Sequence, residues 1–69
     1  MNSVQLGFEY AATTARKKAQ TGDIYGMGRQ LSAAHAPALW AAPTLLGRYQ
    51  ALEDQCWQEY EAWKTTAAG

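Results

Sequence analysis

The sequence has few of the residues that stabilise small proteins through covalent bonds or metal ions. It contains one cysteine, one histidine and two prolines among 69 residues. The single cysteine, Cys56, excludes an intrachain disulfide and a cysteine-based zinc site. A chain of this length buries only about 60 % of its unfolded surface and often needs a second subunit for stability. We therefore predict one domain that forms a homodimer.

An excess of charge of one sign is also missing, because six basic residues balance six acidic ones. The charges are unevenly distributed: residues 1–43 have four basic and two acidic side chains, and residues 44–69 have the reverse. Nucleic-acid-binding proteins normally present a net basic surface, so we expect no nucleic-acid partner. The acidic second half fits antiparallel packing against the first half, or a basic protein partner.

Long apolar runs are scarce. Residues 30–47 contain no charged side chain, which approaches the length of about 18 residues needed to span a membrane. Gln30, Ser32, His35 and two prolines interrupt this segment, so a kinked soluble segment is expected and no membrane partner. The first residues lack the charged and apolar regions of a secretory signal. We expect a cytoplasmic protein.

Combinations of residues typical of enzymes are not found. No acid lies near His35 and Ser32 to complete a catalytic triad. The carboxylates of the second half lack a histidine three residues later, as a diiron site would require. The glycine-rich segment 22–28 lacks the Lys-Ser/Thr of a phosphate loop. We expect neither enzymatic activity nor a cofactor or metal.

Apolar residues recur at helical spacing through most of the chain and predict an all-α fold. The expected elements are a helix over about 3–20, a weaker helical segment over about 23–35, a connector over 36–43 and a helix over about 44–65. The preference of the residue before Pro37 for extended backbone predicts that the second element ends at about residue 35. Trp40 is expected to anchor the connector.

The apolar stripes of the first two elements would lie on opposite sides of one unbroken helix. Either the helix breaks near Gly22, or a single long helix buries opposite faces at its two ends, as in an intertwined dimer. The sequence Thr21-Gly22-Asp23, a stop followed by a new cap, favours the break. The predicted architecture is a helical hairpin, with two long helices or three with a short middle one, in an intertwined or antiparallel homodimer.

The final helix carries the most informative pattern. One apolar stripe with spacings of four and three residues is typical of a helix that packs along its length against another helix. On the first helix a mostly alanine face would allow a partner helix to come close. The residues predicted to form the dimer interface or core are Phe8, Ala11, Ala15, Leu31, Leu45, Tyr49, Leu52, Cys56 and Trp63.

A second strip of the final helix places Glu53, Trp57 and Tyr60 on one surface, with Glu61 nearby. Aromatic and charged side chains in a cluster are typical of the strongest contacts in protein interfaces. An alternative is that Trp57 and Tyr60 complete the dimer core while Glu53 pairs with Arg16 or Lys17. The predicted partner-binding residues are Glu53, Trp57, Tyr60, Glu61, Tyr10, Arg16 and Lys17, the last three on the first helix.

The size, helical layout and aromatic, acidic last helix (Glu53-Asp54-Gln55-Cys56-Trp57-Gln58-Glu59-Tyr60-Glu61-Ala62-Trp63) resemble those of phage quorum-sensing anti-activators. Those proteins are short helical dimers that bind the DNA-binding region of a LuxR-type regulator and also inhibit the ATPase of pilus assembly. The resemblance covers the whole chain and implies a homodimer that blocks a protein of its bacterial host. An acidic, aromatic helix is compatible with docking on a basic DNA-binding surface.

The leading hypothesis is therefore an inhibitory binding protein. The alternatives are a structural module whose aromatic residues serve only self-association, and another phage inhibitor such as an anti-CRISPR protein. A DNA-binding regulator ranks below them, because the uncharged segment over residues 30–46 is poorly suited to phosphate contacts.

Overall fold

The computed structural model describes residues 3–41 and 44–68, which form three helices. The helices are α1 (Ser3–Gln20), α2 (Ile24–Trp40) and α3 (Thr44–Ala68). The prediction of an all-α fold with a break near Gly22 is confirmed. Among the described residues, no helix has the length and apolar character needed to cross a membrane.

The turn between α1 and α2 is specified locally. Gly22 adopts a φ of 77°, a conformation that glycine reaches without a steric penalty. Its N–H donates to the carbonyl of Ala19 at 3.1 Å, and the N–H of Asp23 donates to that of Lys18 at 2.9 Å. This is the Schellman arrangement that ends many helices. The Asp23 carboxylate then accepts from the N–H of Gly26 at 2.8 Å and caps α2, as the sequence predicts.

The predicted end of the second element at residue 35 is wrong, because α2 continues through Pro37 to Trp40. Proline removes one backbone hydrogen bond, but Ala34 and Ala38 on either side are fully buried and hold this turn against the core. The carbonyl of Pro37 in turn accepts from the N–H of Ala41 at 3.0 Å. The middle helix has 17 residues, nearly as many as the 18 of α1, so it is not short.

These extensions change two other boundaries. Of the expected connector over 36–43, residues 36–40 belong to α2 and Ala41 follows its end, whereas 42–43 lie outside the described residues. Helix α3 ends at Ala68 rather than at about residue 65. Trp40 does not anchor a connector, because it belongs to α2 and its side chain is 86 % exposed.

The core lies between the three helices and is built around small side chains. Alanines from α1 and α2 face each other, which allows these two helices to approach closely, and α3 packs larger side chains into the groove they form. Seven of the predicted core residues are confirmed as buried: Phe8, Ala11, Ala15, Leu31, Leu45, Leu52 and Cys56. Residues that we expected to join two chains are thus buried within one chain.

Trp63 was predicted to lie in the dimer interface or core; its side chain is 38 % exposed, so it is not part of the core of one chain, and a contact across a dimer stays a prediction. It lies on the core-facing side of α3, but α3 has 25 residues and α1 only 18. At 1.5 Å per residue α3 is about 10 Å longer. Its last turns therefore extend beyond the core residues of the shorter helices. The ninth residue of the predicted set, Tyr49, is partly buried and packs against the core.

Candidate protein-binding surface

Three aromatic residues at intervals of three form a continuous surface on the second half of α3. The rings of Trp57 and Tyr60 are perpendicular, with centroids 6.0 Å apart, and those of Tyr60 and Trp63 are stacked at 6.0 Å. Trp57 is 44 % exposed, Trp63 is 38 % exposed, and Tyr60 is partly buried. We call Trp57, Tyr60 and Trp63 the α3 aromatic cluster. Edge-to-face and offset-stacked ring pairs stabilise one another beyond simple burial.

The α3 aromatic cluster is held against the rest of the protein at two points. Tyr60 packs against the hydrophobic core. The indole of Trp63 covers Gly22 so closely that a Cβ atom at that glycine would overlap the ring. The rings therefore have a defined orientation before any partner binds, which reduces the conformational entropy lost on binding.

Acidic side chains accompany the α3 aromatic cluster, as the sequence predicts. Glu53 is exposed and accepts a hydrogen bond from the hydroxyl of Tyr49 at 3.3 Å. Burial, with a further contribution from Glu53, raises the pKa of the Tyr49 hydroxyl, which keeps that hydroxyl protonated as a donor. Glu61 lies 3.9 Å from Lys64 at the surface. Glu53 and Trp57 are exposed as expected, whereas Tyr60 is only partly accessible.

Arg16 does not form the ion pair with Glu53 that was the alternative prediction. Its guanidinium lies 3.9 Å from Glu59 of α3, and Gln20 donates to the same carboxylate at 3.4 Å. A second connection joins Arg48 of α3 to Glu9 of α1. Arg16 therefore connects α1 to α3 and is less available to a partner than predicted. Surface ion pairs of this kind contribute little stability.

The other partner-binding residues predicted on α1 form a separate surface. Tyr10 is 74 % exposed, Leu6 is 55 % exposed and Lys17 is exposed. They line an open groove formed by residues 6–21, without any residue of α3. The structure thus divides the predicted partner-binding residues between two surfaces, and the α3 aromatic cluster has the more continuous ring contacts.

Sequence reasoning missed a third surface on α2. Tyr25 is 75 % exposed, Trp40 is 86 % exposed, and the Arg29 guanidinium lies 6.0 Å from the centroid of the Tyr25 ring. The signal was present in the sequence, because these residues lie at helical spacing on the side opposite the buried stripe. It was missed because Pro37 was expected to end the helix before Trp40. We define the α2 outer face as Tyr25, Arg29, Ser32, Ala33, Ala36, Leu39 and Trp40.

Cys56 lies on the buried side of α3 and has no exposed surface. Burial and the nearby Glu59 raise the pKa of its thiol, while Arg16 lowers it to a smaller extent. The thiol is therefore neutral and inaccessible near neutral pH, unlike a nucleophilic cysteine. In the part of the chain that the structure describes, no group of three or more histidine, cysteine and carboxylate side chains could hold a metal ion.

The raised pKa of Cys56 predicts a loss of stability at alkaline pH. The unfolded thiol ionises near pH 9.0 and the folded one at higher pH. The contribution of the neutral, buried thiol to folding stability is therefore complete below pH 9, and it is lost as the pH rises through the pKa of the folded state. Urea unfolding from pH 7 to pH 10.5 should show a smaller alkaline decrease for Cys56→Ala than for the native chain. An equal decrease in both proteins would contradict the assignment.

Comparison with known protein families, curated proteins and solved structures finds no match to this chain. The resemblance to phage quorum-sensing anti-activators therefore stays a prediction.

Proposed function

We propose that this protein is a small inhibitory binding protein that blocks a host bacterial protein by covering part of its surface. The observation that carries the proposal is the α3 aromatic cluster, where the Tyr60 ring pairs with the indoles of both Trp57 and Trp63 and both indoles are substantially exposed. Tryptophan and tyrosine are enriched among the residues that dominate binding energy. Rings that are already oriented bind with a smaller entropic penalty.

The charge of α3 favours a basic target. The helix carries four acidic and two basic side chains, and Glu53 and Glu61 lie at its surface. Complementary charge accelerates encounter and selects among partners. The resemblance to quorum-sensing anti-activators directs the first test to the DNA-binding domain of a LuxR-type regulator, where an acidic, aromatic helix would compete with DNA. The ATPase of type IV pilus assembly is the second target. Inhibition of this kind works by occlusion.

The experiment begins with a pull-down from a bacterial lysate, using the tagged protein and mass spectrometry. Calorimetric titration of the purified target then measures affinity. Trp57→Ala should weaken binding by tenfold to a hundredfold, since truncation of a central interface aromatic typically costs about 2 kcal/mol or more. The affinity of native protein should also decrease as salt concentration rises.

Gln58→Ala is the matched control, because Gln58 is exposed on the same helix but points away from Trp57. Its affinity should stay within about twofold of native, which corresponds to about 0.4 kcal/mol. Equal affinity of Trp57→Ala and native protein would refute the role of the α3 aromatic cluster. Tyr10→Ala separately tests the open groove on α1 that Tyr10 lines. A larger loss of affinity for Tyr10→Ala than for Trp57→Ala would place the binding site on α1.

A further inference from the structure

A small cavity lies beside the α3 aromatic cluster, where the end of α1 faces the second half of α3. Its volume is about 380 Å³. Sites for whole small molecules occupy about 300–1,000 Å³, so this space suits a single side chain better than a larger ligand. We call it the α1–α3 cavity. Its lining consists of Gln20 from α1 and, from α3, Glu59, Ala62, Trp63 and Thr66.

The lining residues of α3 share one face of the helix. Positions 59, 62, 63 and 66 are three or four residues apart, so their side chains project from successive turns towards the same side. That side combines a carboxylate, an indole and a hydroxyl, and the small side chain of Ala62 leaves space between them. Carboxylates bind guanidinium groups through two parallel hydrogen bonds, and aromatic rings stack on them. The cavity therefore has the groups that recognise arginine.

The carboxylate of Glu59 has most of its hydrogen-bonding capacity unused. A carboxylate can accept about four hydrogen bonds. Oε1 accepts one from the Gln20 amide at 3.4 Å, and it lies 3.9 Å from Nε of Arg16, beyond hydrogen-bond distance. Oε2 is shielded from solvent and has no hydrogen-bond partner among the described residues. Because a shielded acceptor without a donor is destabilising, a ligand that donates to this carboxylate is favoured.

Trp63 provides an aromatic surface next to this carboxylate. Its side chain is 38 % exposed, although the ring covers Gly22 and stacks with Tyr60. Those two contacts fix the orientation of the indole, so its exposed part stays beside Glu59. Tryptophan is the most favourable ring for cation–π contacts, and arginine is the cation most often found in them.

We propose that the α1–α3 cavity receives an arginine side chain of the target protein. Its guanidinium donates two hydrogen bonds to Glu59 and lies against the Trp63 indole. The carboxylate turns about its terminal bond, a broadly distributed torsion, to present both oxygens. The hydroxyl of Thr66 already donates to the carbonyl of Ala62 at 3.0 Å, so its oxygen can accept from a remaining N–H. This inference rests on the proposed function and names the group of a basic target that α3 recognises.

The cations of the chain itself leave room for this arginine. Arg16 does not line the α1–α3 cavity and borders a neighbouring one. Its side chain is 47 % exposed, so solvent screens its repulsion of a second cation. Lys64 projects from the other side of α3 and lies 3.9 Å from Glu61. The charge of Glu59 is therefore the nearest one to the proposed guanidinium.

Titration of the full chain with N-acetyl-arginine amide tests the site without the target. At constant ionic strength, NMR should show shifts of the Trp63 indole N–H and the Gln20 side-chain amide. We expect a dissociation constant of about 1–10 mM, the range of a single contact. N-acetyl-citrulline amide, which is neutral and nearly the same shape, should shift neither signal. N-acetyl-lysine amide should bind more weakly than the arginine derivative, because an ammonium cannot form the paired hydrogen bonds.

Two variants test the named contacts. Glu59→Gln preserves the shape of the side chain and should weaken binding of the arginine derivative by about tenfold or more, since it removes the charge from both hydrogen bonds. Ala62→Leu fills the cavity from an exposed helix position and should abolish binding without unfolding the chain. Asp54→Asn is the matched control, because it removes one exposed charge on another side of α3. Its affinity should stay within about twofold of native.

Unchanged binding of the arginine derivative by Glu59→Gln or by Ala62→Leu would overturn the proposal. Equal binding of the arginine and citrulline derivatives would overturn it as well. Target titration separates this proposal from the proposed function. If Trp57→Ala weakens target binding and Ala62→Leu does not, the target binds without an arginine in the cavity and only the present proposal fails. If the arginine derivative binds as expected and no target protein is recovered, the cavity recognises arginine and the inhibitory function fails.

Discussion

Replacing Phe8 with alanine is expected to lower the free energy of unfolding by about 3–5 kcal/mol, the usual cost of truncating a buried phenylalanine. Phe8 is 1 % exposed and is the largest fully buried side chain. The core residues that follow it on the same face of α1, Ala11 and Ala12, have side chains too short to extend into the space that the ring would leave. The guanidinium of Arg48, 5.2 Å from the ring centroid, would lose its aromatic contact at the same time.

The loss is large relative to the total stability. At about 0.05–0.15 kcal/mol per residue, a domain of this size is stable by roughly 3–10 kcal/mol. The Phe8→Ala variant should therefore lose about a third or more of the total stability and unfold at a much lower urea concentration. Urea denaturation followed by far-ultraviolet circular dichroism measures the change. Leu6→Ala, at a side chain that is 55 % exposed on the same helix, is the control and should shift stability by no more than about 0.5 kcal/mol. A loss below about 1 kcal/mol at Phe8 would contradict its place in the core.

Replacing Gly22 with alanine should have the second-largest effect, a loss of about 2–4 kcal/mol. The positive φ of Gly22 costs an L-residue about 1–2 kcal/mol. The new methyl group would also overlap the Trp63 indole and force the ring to move, which adds the loss of its packing. The α3 aromatic cluster would then be rearranged, so tryptophan fluorescence should shift to longer wavelength even while the chain remains folded.

Two further variants separate the causes. Gly28→Ala places a methyl group in open space on the exposed side of α2, so it should stabilise the protein by about 0.5–1 kcal/mol. In a Trp63→Ala background, Gly22→Ala should cost less free energy of unfolding than in the native chain, because only the penalty of the positive φ remains. The same cost in both backgrounds would show that Trp63 does not cover Gly22.

Much of the fold was accessible from local patterns. The spacing of apolar residues predicts the three helical segments, because helical periodicity depends on residues only three or four positions apart. Thr21-Gly22-Asp23 predicts the break and the cap, since a positive φ and a side-chain acceptor are requirements of one or two residues. Phe8, Leu45 and Leu52 were identified as core residues for the same reason.

The candidate surfaces were only partly accessible. Glu53 and Trp57 lie together on α3 as predicted, but Arg16 pairs with Glu59 instead of Glu53. Which acid on a facing helix lies opposite a given arginine depends on the relative position of two helices along their axes. No pattern within either helix determines that position.

The sequence by itself determined the helical class, the position of the α1–α2 turn and most of the buried stripe, because each depends on short-range geometry. Only the tertiary structure decided that α2 passes through Pro37, since burial of Ala34 and Ala38 outweighs the local preference of the residue before proline. The exposure of Trp63 was decided in the same way, because its surroundings depend on where the shorter helices end. A side chain on the correct face is buried only where a neighbouring helix extends far enough to cover it.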